Sequence, residues 1–175
     1  VHYIKDEKND IFYSIDNTHE EVENCIKNLF NGNALAMVQR YYDLVIEMAQ
    51  SKQPDILGHF DLVRKLNSGN RYFAENSSEY QQIALAALEK AAQTNCTFEV
   101  NSGGVYKKYT TKPYPAEFLL KRLADLDAPV TISSDSHDIN SLNFYFAEIL
   151  NLLKSLGFKE ITLLGPQGFY QQSIR

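Results

Sequence analysis

The chain has 175 residues, of which 44% are hydrophobic, and this combination predicts one substantial folded domain and not a disordered segment. Its net charge of −5 argues against general nucleic-acid binding, which requires a basic surface to neutralise phosphates. No apolar run approaches the ~20 residues of a membrane span, so no membrane partner is expected. The two cysteines, Cys25 and Cys96, lie in apolar stretches, which favours reduced thiols in a cytoplasmic protein over a disulfide.

The first half of the chain shows two helical patterns between two short strands. Thr18 offers an N-cap hydroxyl, and Glu21 completes a capping box three residues later. Apolar residues then recur at helical spacing until Pro54 interrupts the pattern. In order, the predicted elements are a strand over 1–5, a polar loop over 6–16, a helix from 18 to about 30, a helix over 34–50 and a strand over 55–58.

The second half alternates helices with short apolar strands. Ser78 and Gln81 are suited to open a helix, Pro115 suits the first turn of another, and Gly157 ends the last one. The predicted elements are a helix from 78, a strand over 96–100, a loop over 102–112, a helix over 115–126, a strand over 130–133, a helix over 142–156 and a strand over 161–164. The tail from 165 is open between irregular structure and a short helix.

This order predicts an α/β fold of about five parallel strands covered by helices, because short apolar strands that alternate with helices are typical of parallel sheets. A complete (β/α) barrel needs about 250 residues, so this chain is expected to form the later part of one. A doubly wound open sheet is the alternative, since it can close its core at this length. No repeat or linker divides the chain, and a single domain over 1–175 is therefore expected.

Two of the predicted strands end in polar strings that carry histidine and aspartate together. Residues 58–61 read GHFD, and residues 133–138 read SSDSHD. Because parallel strands end at the same edge of a sheet, His59, Asp135 and His137 are predicted to converge on one divalent metal ion. The alternative is structural: the acids cap loops or helices, and the histidines hydrogen-bond at the strand ends.

Other polar residues near these strand ends are candidates for substrate binding or for support of the ligands. Arg64 lies five residues after His59 and can grip a phosphate through two donors, although a surface arginine is an equal alternative. Glu99 and Asn101 share one side of their strand, where either can orient a metal ligand. Lys107 lies in the following loop and can add positive charge for a phosphate, with a solvated loop as the alternative.

Several strings taken together resemble the PHP (polymerase and histidinol phosphatase) family, in particular its histidinol-phosphatase branch. They occur in the family's order and comprise residues 1–4, 58–65, 99–104, 113–115 and 132–138, of which GHFD and SDSHD are the most specific. The resemblance implies a distorted (β/α)₇ TIM-like barrel and a small cluster of divalent metals, with Zn, Mn or Fe as candidates. It also implies hydrolysis of a small phosphomonoester, histidinol phosphate, in histidine biosynthesis.

The resemblance also implies roles for individual residues of this chain. These are metal ligation by His2, His59, Asp135 and His137, catalysis by Asp135 and His137, phosphate contact by Arg64 and Lys107, and support of the ligands by Asp61, Glu99 and Asn101.

The family's opening H-x-H motif, a further histidine and an acidic metal ligand have no counterpart here, because this chain begins after them. A barrel without its first strands is expected to bind metal weakly and to expose sheet edges, so that it associates with a second copy or rearranges. Two alternative functions remain open. One is a different PHP-type metal hydrolase, and the other is a non-catalytic partial barrel that serves as a binding or scaffold element.

Overall fold

The computed structural model describes residues 1–174 as a mixed α/β fold with three small sheets and six α-helices. The strands are β1 (Tyr3–Asp6), β2 (Ile11–Ser14), β3 (Ile56–Leu57), β4 (Thr97–Asn101), β5 (Val130–Ser133), β6 (Glu160–Gly165) and β7 (Gly168–Ser173). The helices are α1 (His19–Phe30), α2 (Ala34–Lys52), α3 (Ser78–Ala92), α4 (Gly103–Tyr106), α5 (Glu117–Asp125) and α6 (Phe146–Ser155).

The central sheet contains three parallel strands in the order β3-β4-β5. In its register Leu57 pairs with Phe98, and Phe98 pairs with Val130. These three side chains share one face of the sheet and are buried, so that face is covered. The parallel arrangement was predicted, and it places the carboxyl ends of the three strands at one edge. The barrel interpretation stays a prediction.

The expectation of about five parallel strands is wrong, because the remaining strands form two antiparallel hairpins. β1 pairs with β2, which lies inside the stretch predicted as a polar loop over 6–16. β6 pairs with β7, which occupies the tail from 165, where irregular structure or a short helix was expected. A short apolar run predicts a strand but not its partner, and here a tight turn returns the chain directly beside each strand.

The helices follow the predicted order with shifted ends. Thr18 caps α1, and its hydroxyl oxygen accepts a hydrogen bond from the backbone N–H of Glu21 at 3.2 Å, as the capping-box pattern predicted. Ser77, one residue before the predicted start, caps α3. The predicted loop over 102–112 contains the short helix α4. α6 begins at Phe146, four residues later than predicted.

An aromatic core lies beneath the edge at which the central strands end. Tyr41, Tyr42, Phe60, Tyr80 and Phe98 are all fully buried, and the rings of Phe60 and Phe98 meet with centroids 5.8 Å apart. The hydroxyl of Tyr41 donates to the carbonyl oxygen of Phe60 at 2.9 Å. These contacts therefore hold the segment after β3 against the aromatic core.

No helix within residues 1–174 combines the length and apolarity that a bilayer crossing needs.

Candidate active site at the strand ends

A cavity of about 50 Å³ lies where the central strands end. A single buried water needs about 10–15 Å³, so the cavity has room for a group of a few heavy atoms. The residues lining it come from the β1–β2 hairpin, the segment after β3, the end of β4 with the following loop, and the turn after β5. They are His2, Asp16, His59, Leu62, Lys65, Asn101, Gly103, Gly104, Lys107, Tyr109, Tyr114 and Asp135.

His59 enters this cavity from the end of β3 in an unusual backbone conformation. Its φ of 28° lies outside the ordinary range for a non-glycine residue, and such strain is more common at functional sites. Its Nδ1 atom is buried and has no hydrogen-bond partner among the described residues. Burial lowers the pKa of the imidazole, against the opposing effect of the Glu99 carboxylate. The His59 ring is therefore neutral, and its Nδ1 can still donate or accept a hydrogen bond or bind a metal.

His2 lies beside His59, with ring centroids 5.1 Å apart, and a carboxylate holds it there. The Asp16 Oδ2 atom lies 3.2 Å from His2 Nδ1 and 3.1 Å from the ammonium of Lys65. Burial tends to raise the Asp16 pKa, but the Lys65 ammonium and His2 outweigh it, and the pKa is lowered. Asp16 is thus an ionised carboxylate that joins two cavity residues.

Asp16 and Lys65 were not among the residues predicted from sequence. Asp16 closes the stretch read as a polar loop, so nothing placed it near a strand end. The β1–β2 hairpin is what brings Asp16 beside His2. Asp16 follows β2 by two residues, and β2 pairs with the strand that begins just after His2. Lys65 directly follows Arg64, and the sequence pattern does not distinguish which of the two cations reaches the site.

Glu99 and Asn101 support the site from β4, in agreement with their predicted position on one side of that strand. Glu99 Oε2 accepts from the backbone N–H of His59 at 2.7 Å and from Asn101 Nδ2 at 2.9 Å. Asn101 Oδ1 in turn accepts from the backbone N–H of Gly103 at 2.8 Å. A Cβ atom on Gly103 would lie 2.9 Å from the Ser134 carbonyl oxygen, so only glycine fits there without rearrangement.

Asp135 reaches the same cavity from the end of β5, also with a left-handed backbone, at φ 48°. Its Oδ2 lies 3.9 Å from the ammonium of Lys107, and its Oδ1 lies 3.6 Å from His137 Nε2. The His137 side chain is 73% exposed and does not line the cavity. The structure therefore brings His2, His59 and Asp135 to one cavity and leaves His137 at its outer side.

The donor types gathered here suit a divalent metal, since two imidazoles and two carboxylates share a cavity and one buried imidazole nitrogen lacks a partner. However, no three His, Cys, Asp or Glu side chains within residues 1–174 are arranged to hold one ion together. The structure supplies only part of a metal site, and ligation by His2, His59, Asp135 and His137 stays a prediction.

Arg64, predicted as a phosphate contact, lies outside this cavity in a buried ion-pair network. Its Nη1 is 2.9 Å from Asp61 Oδ2, and its Nε is 2.7 Å from Glu75 Oε2. Burial tends to lower the Arg64 pKa, but the two carboxylates raise it well above its usual value. Asp61 is completely buried and also accepts from the backbone N–H of Ala116 at 2.8 Å. These contacts make Arg64 and Asp61 a structural pair.

A second, larger cavity of about 680 Å³ adjoins the first, and the two share Tyr109. Arg64 contributes to its wall. The other residues lining it are Ser68, Gly69, Asn70, Glu75, Val105, Lys108, Thr110, Thr111 and Tyr145.

Comparison with known proteins confirms the predicted resemblance, although no protein-family model matches the chain. Two curated proteins, each named "Probable histidinol-phosphatase", are similar in sequence. The protein from Deinococcus radiodurans is 29% identical over 122 residues, and that from Schizosaccharomyces pombe is 26% identical over 133 residues. The matches cover 70% and 73% of this chain but 44% and 42% of the two relatives, so the chain spans less than half of their length.

The fold is shared with a solved structure. A protein from Listeria monocytogenes named "putative histidinol phosphatase hisK" superposes with a TM-score of 0.71 at 19% sequence identity. The match covers 85% of this chain and 55% of that one. At this identity the likeness establishes a common fold.

Proposed function

We propose that this chain forms part of a metal-dependent phosphomonoesterase of the histidinol-phosphatase type, which converts histidinol phosphate and water into histidinol and phosphate. The observation that carries the proposal is the small cavity at the strand ends, where His2, His59 and Asp135 meet two lysines. Relatives named for this activity supply the substrate class. The place of such a reaction in histidine biosynthesis is part of the same proposal.

The chain's own residues have separate roles in this reaction. When bound, a divalent metal held by His2, His59, Asp135 and His137 would supply a water of lowered pKa. Lys107 lines the cavity, and its ammonium would neutralise charge on the phosphoryl oxygens. Asp135, or the exposed His137 whose Nε2 lies 3.6 Å from it, would relay a proton to the leaving alkoxide.

The two cavities fit a substrate that has a small charged group and a larger remainder. The cavity of about 50 Å³ would receive the phosphoryl oxygens beside the residues proposed to hold the metal. The adjoining cavity of about 680 Å³ receives the alcohol portion past Tyr109. The wall of the larger cavity combines charged, polar and aromatic side chains, so selection among alcohols depends on contacts in that cavity.

The test is release of phosphate from a panel of phosphomonoesters that includes histidinol phosphate, with added Zn²⁺, Mn²⁺ or Fe²⁺. Asp135→Asn is expected to lower kcat/KM by at least about a hundredfold, the scale of losing a general acid or base. Asp125→Asn, an exposed aspartate at the end of α5, is the matched control and is expected to change kcat/KM less than about twofold.

One observation favours the alternative of a non-catalytic partial site. Within residues 1–174 no three ligand-type side chains converge on one ion, and His137 remains exposed. Under that alternative, no ester in the panel releases phosphate above the rate of buffer with the same metal, and Asp135→Asn changes nothing. That result would refute the enzymatic proposal.

A further inference from the structure

The neighbours Arg64 and Lys65 turn to different sides of the chain. Leu62–Arg64 form a 3₁₀ turn, in which successive side chains are separated by about 120°. Arg64 therefore faces the buried carboxylate of Asp61 and the half-buried carboxylate of Glu75, whereas Lys65 lines the small cavity with His2 and His59. Of these two cations, the structure offers Lys65 to a ligand in that cavity.

The charges of the two side chains are also compensated differently. Arg64 pairs with two carboxylates, and its side chain is 11% exposed. Lys65 meets one carboxylate, that of Asp16, which it shares with His2. An ammonium has three N–H donors, and within residues 1–174 one of them goes to Asp16. Two donors thus remain for a ligand or for water.

Two contacts hold the Lys65 ammonium in place. Asp16 Oδ2 lies 3.1 Å away, and the centroid of the Tyr109 ring lies 5.0 Å away, within reach of a cation–π interaction. A free lysine side chain loses much rotamer entropy when it binds a ligand. A lysine already held by a carboxylate and an aromatic ring loses less of it, so its charge is presented at a defined point of the cavity.

We propose that Lys65 binds the phosphoryl oxygens of the substrate, in place of Arg64, and that Asp16 is the positioning residue that presents it. The inference rests on the proposed function for the identity of the ligand, a phosphate monoester. Lys107 lines the same cavity near Asp135, so a phosphoryl group there meets two ammonium groups. The carboxylates of Asp16 and Asp135 line the cavity as well, so the two lysines contribute hydrogen-bond donors to the phosphoryl oxygens more than net positive charge.

The first experiment measures the affinity of the full chain for inorganic phosphate by titration calorimetry. Lys65→Gln is expected to weaken binding about ten- to a hundredfold, the scale of one charge-assisted hydrogen bond. Lys65→Arg keeps the charge and is expected to retain most of the affinity. Lys112→Gln removes a lysine that lies outside the cavity, is 58% exposed and pairs loosely with Glu117, and it is the matched control for net charge, with an expected change below about twofold.

A second variant separates a ligand from a structural lysine. If Lys65 serves only to hold the Asp16 charge in place, Asp16→Asn removes that charge and weakens phosphate binding as much as Lys65→Gln does. If Lys65 binds phosphate, Asp16→Asn keeps a side-chain oxygen that can accept a hydrogen bond from the Lys65 ammonium and removes a competing negative charge, so the affinity changes less than about threefold. Asp16→Asn and Lys65→Arg carry the test should Lys65→Gln fail to fold, and a tenfold loss in Asp16→Asn would overturn the proposal.

Phosphate release, measured on the same variants, separates this inference from the proposed function. Hydrolysis together with unchanged phosphate affinity in Lys65→Gln overturns the role of Lys65 and leaves the enzyme assignment standing. Lys65-dependent phosphate binding without hydrolysis of any ester supports the role of Lys65 and refutes the enzyme assignment. A chain that binds no phosphate refutes the role of Lys65 directly.

Discussion

The Arg64 network and the small cavity lie side by side, and they differ in how completely their charges are matched. In the network, the Arg64 guanidinium meets two carboxylates at hydrogen-bonding distance, through Asp61 Oδ2 and Glu75 Oε2, although the buried Asp61 Oδ1 has no hydrogen-bond partner among the described residues. In the cavity, the buried Nδ1 of His59 has no partner among the described residues, and Asp135 approaches Lys107 only to 3.9 Å. Matched charges stabilise a fold, whereas incompletely matched ones remain available to a ligand.

Removal of the guanidinium is expected to have the largest effect on stability. Arg64→Ala leaves the fully buried Asp61 carboxylate without its cation, and the expected loss in the free energy of unfolding is about 3–5 kcal/mol. Denaturant unfolding measures it. Arg40→Ala is the control, because Arg40 and Glu47 form an exposed pair for which about 0–1 kcal/mol is expected. Equal losses in the two variants would show that the network is not structural.

Adding a methyl group to the cavity wall is expected to have the next largest effect on stability. In Gly103→Ala the new Cβ lies 2.9 Å from the Ser134 carbonyl oxygen and 3.3 Å from Asp135 Cβ, so the strand end must shift, at about 1–3 kcal/mol. Gly58→Ala is the matched comparison, since its Cβ meets only the Glu99 carboxylate, at 3.3 Å. Unfolding midpoints should fall more in Gly103→Ala, and the reverse order would contradict the close packing at Asp135.

The imidazole of His59 gives the smallest and most specific effect, a dependence of stability on pH. Its pKa is lowered by burial, so the unfolded chain takes up this proton first as the pH falls. The stabilisation is complete above the ordinary imidazole pKa of about 6.5 and is lost as the pH falls from there through the folded-state pKa. One proton limits the slope to about 1.4 kcal/mol per pH unit.

His59→Asn should remove this contribution, which unfolding experiments between pH 7.5 and 5 detect as a shallower loss of stability. Above pH 7 the curves of the variant and the wild type should run parallel, which serves as the internal control. If the two curves remain parallel down to pH 5, the buried neutral imidazole is not the cause.

The sequence was sufficient for the elements with strong local signals. β5 has the predicted bounds, and α1 starts and ends as Thr18 and the spacing indicated. β2 and β7 contain strand-favouring residues, Ile11-Phe12-Tyr13 and Phe169-Tyr170, but each run is short and is flanked by polar residues and turns. Runs of this length become strands here by pairing with the neighbouring strand, which local periodicity does not reveal.

The same distinction between local signals and strand pairing applies to the residues of the site. His59, Glu99, Asn101 and Asp135 were found because they follow or end apolar strands, whose direction in a parallel sheet fixes where they meet. Asp16 depends on a hairpin that local signals did not reveal. The choice between Arg64 and Lys65 depends on the rotation of a single 3₁₀ turn, which the order of residues does not specify.

The β1–β2 hairpin shares no strand pairing with the central sheet, and two buried isoleucines, Ile4 and Ile15, anchor it to the core. A two-stranded hairpin alone is marginally stable in water. Its detachment is therefore a local opening with a lower free energy than global unfolding. Such an opening carries His2 and Asp16 away while the parallel sheet stays intact. The fraction of molecules with a complete cavity then depends on the free energy with which this hairpin docks. Weaker packing of Ile4 or Ile15 would inactivate the site while the rest of the chain stays folded.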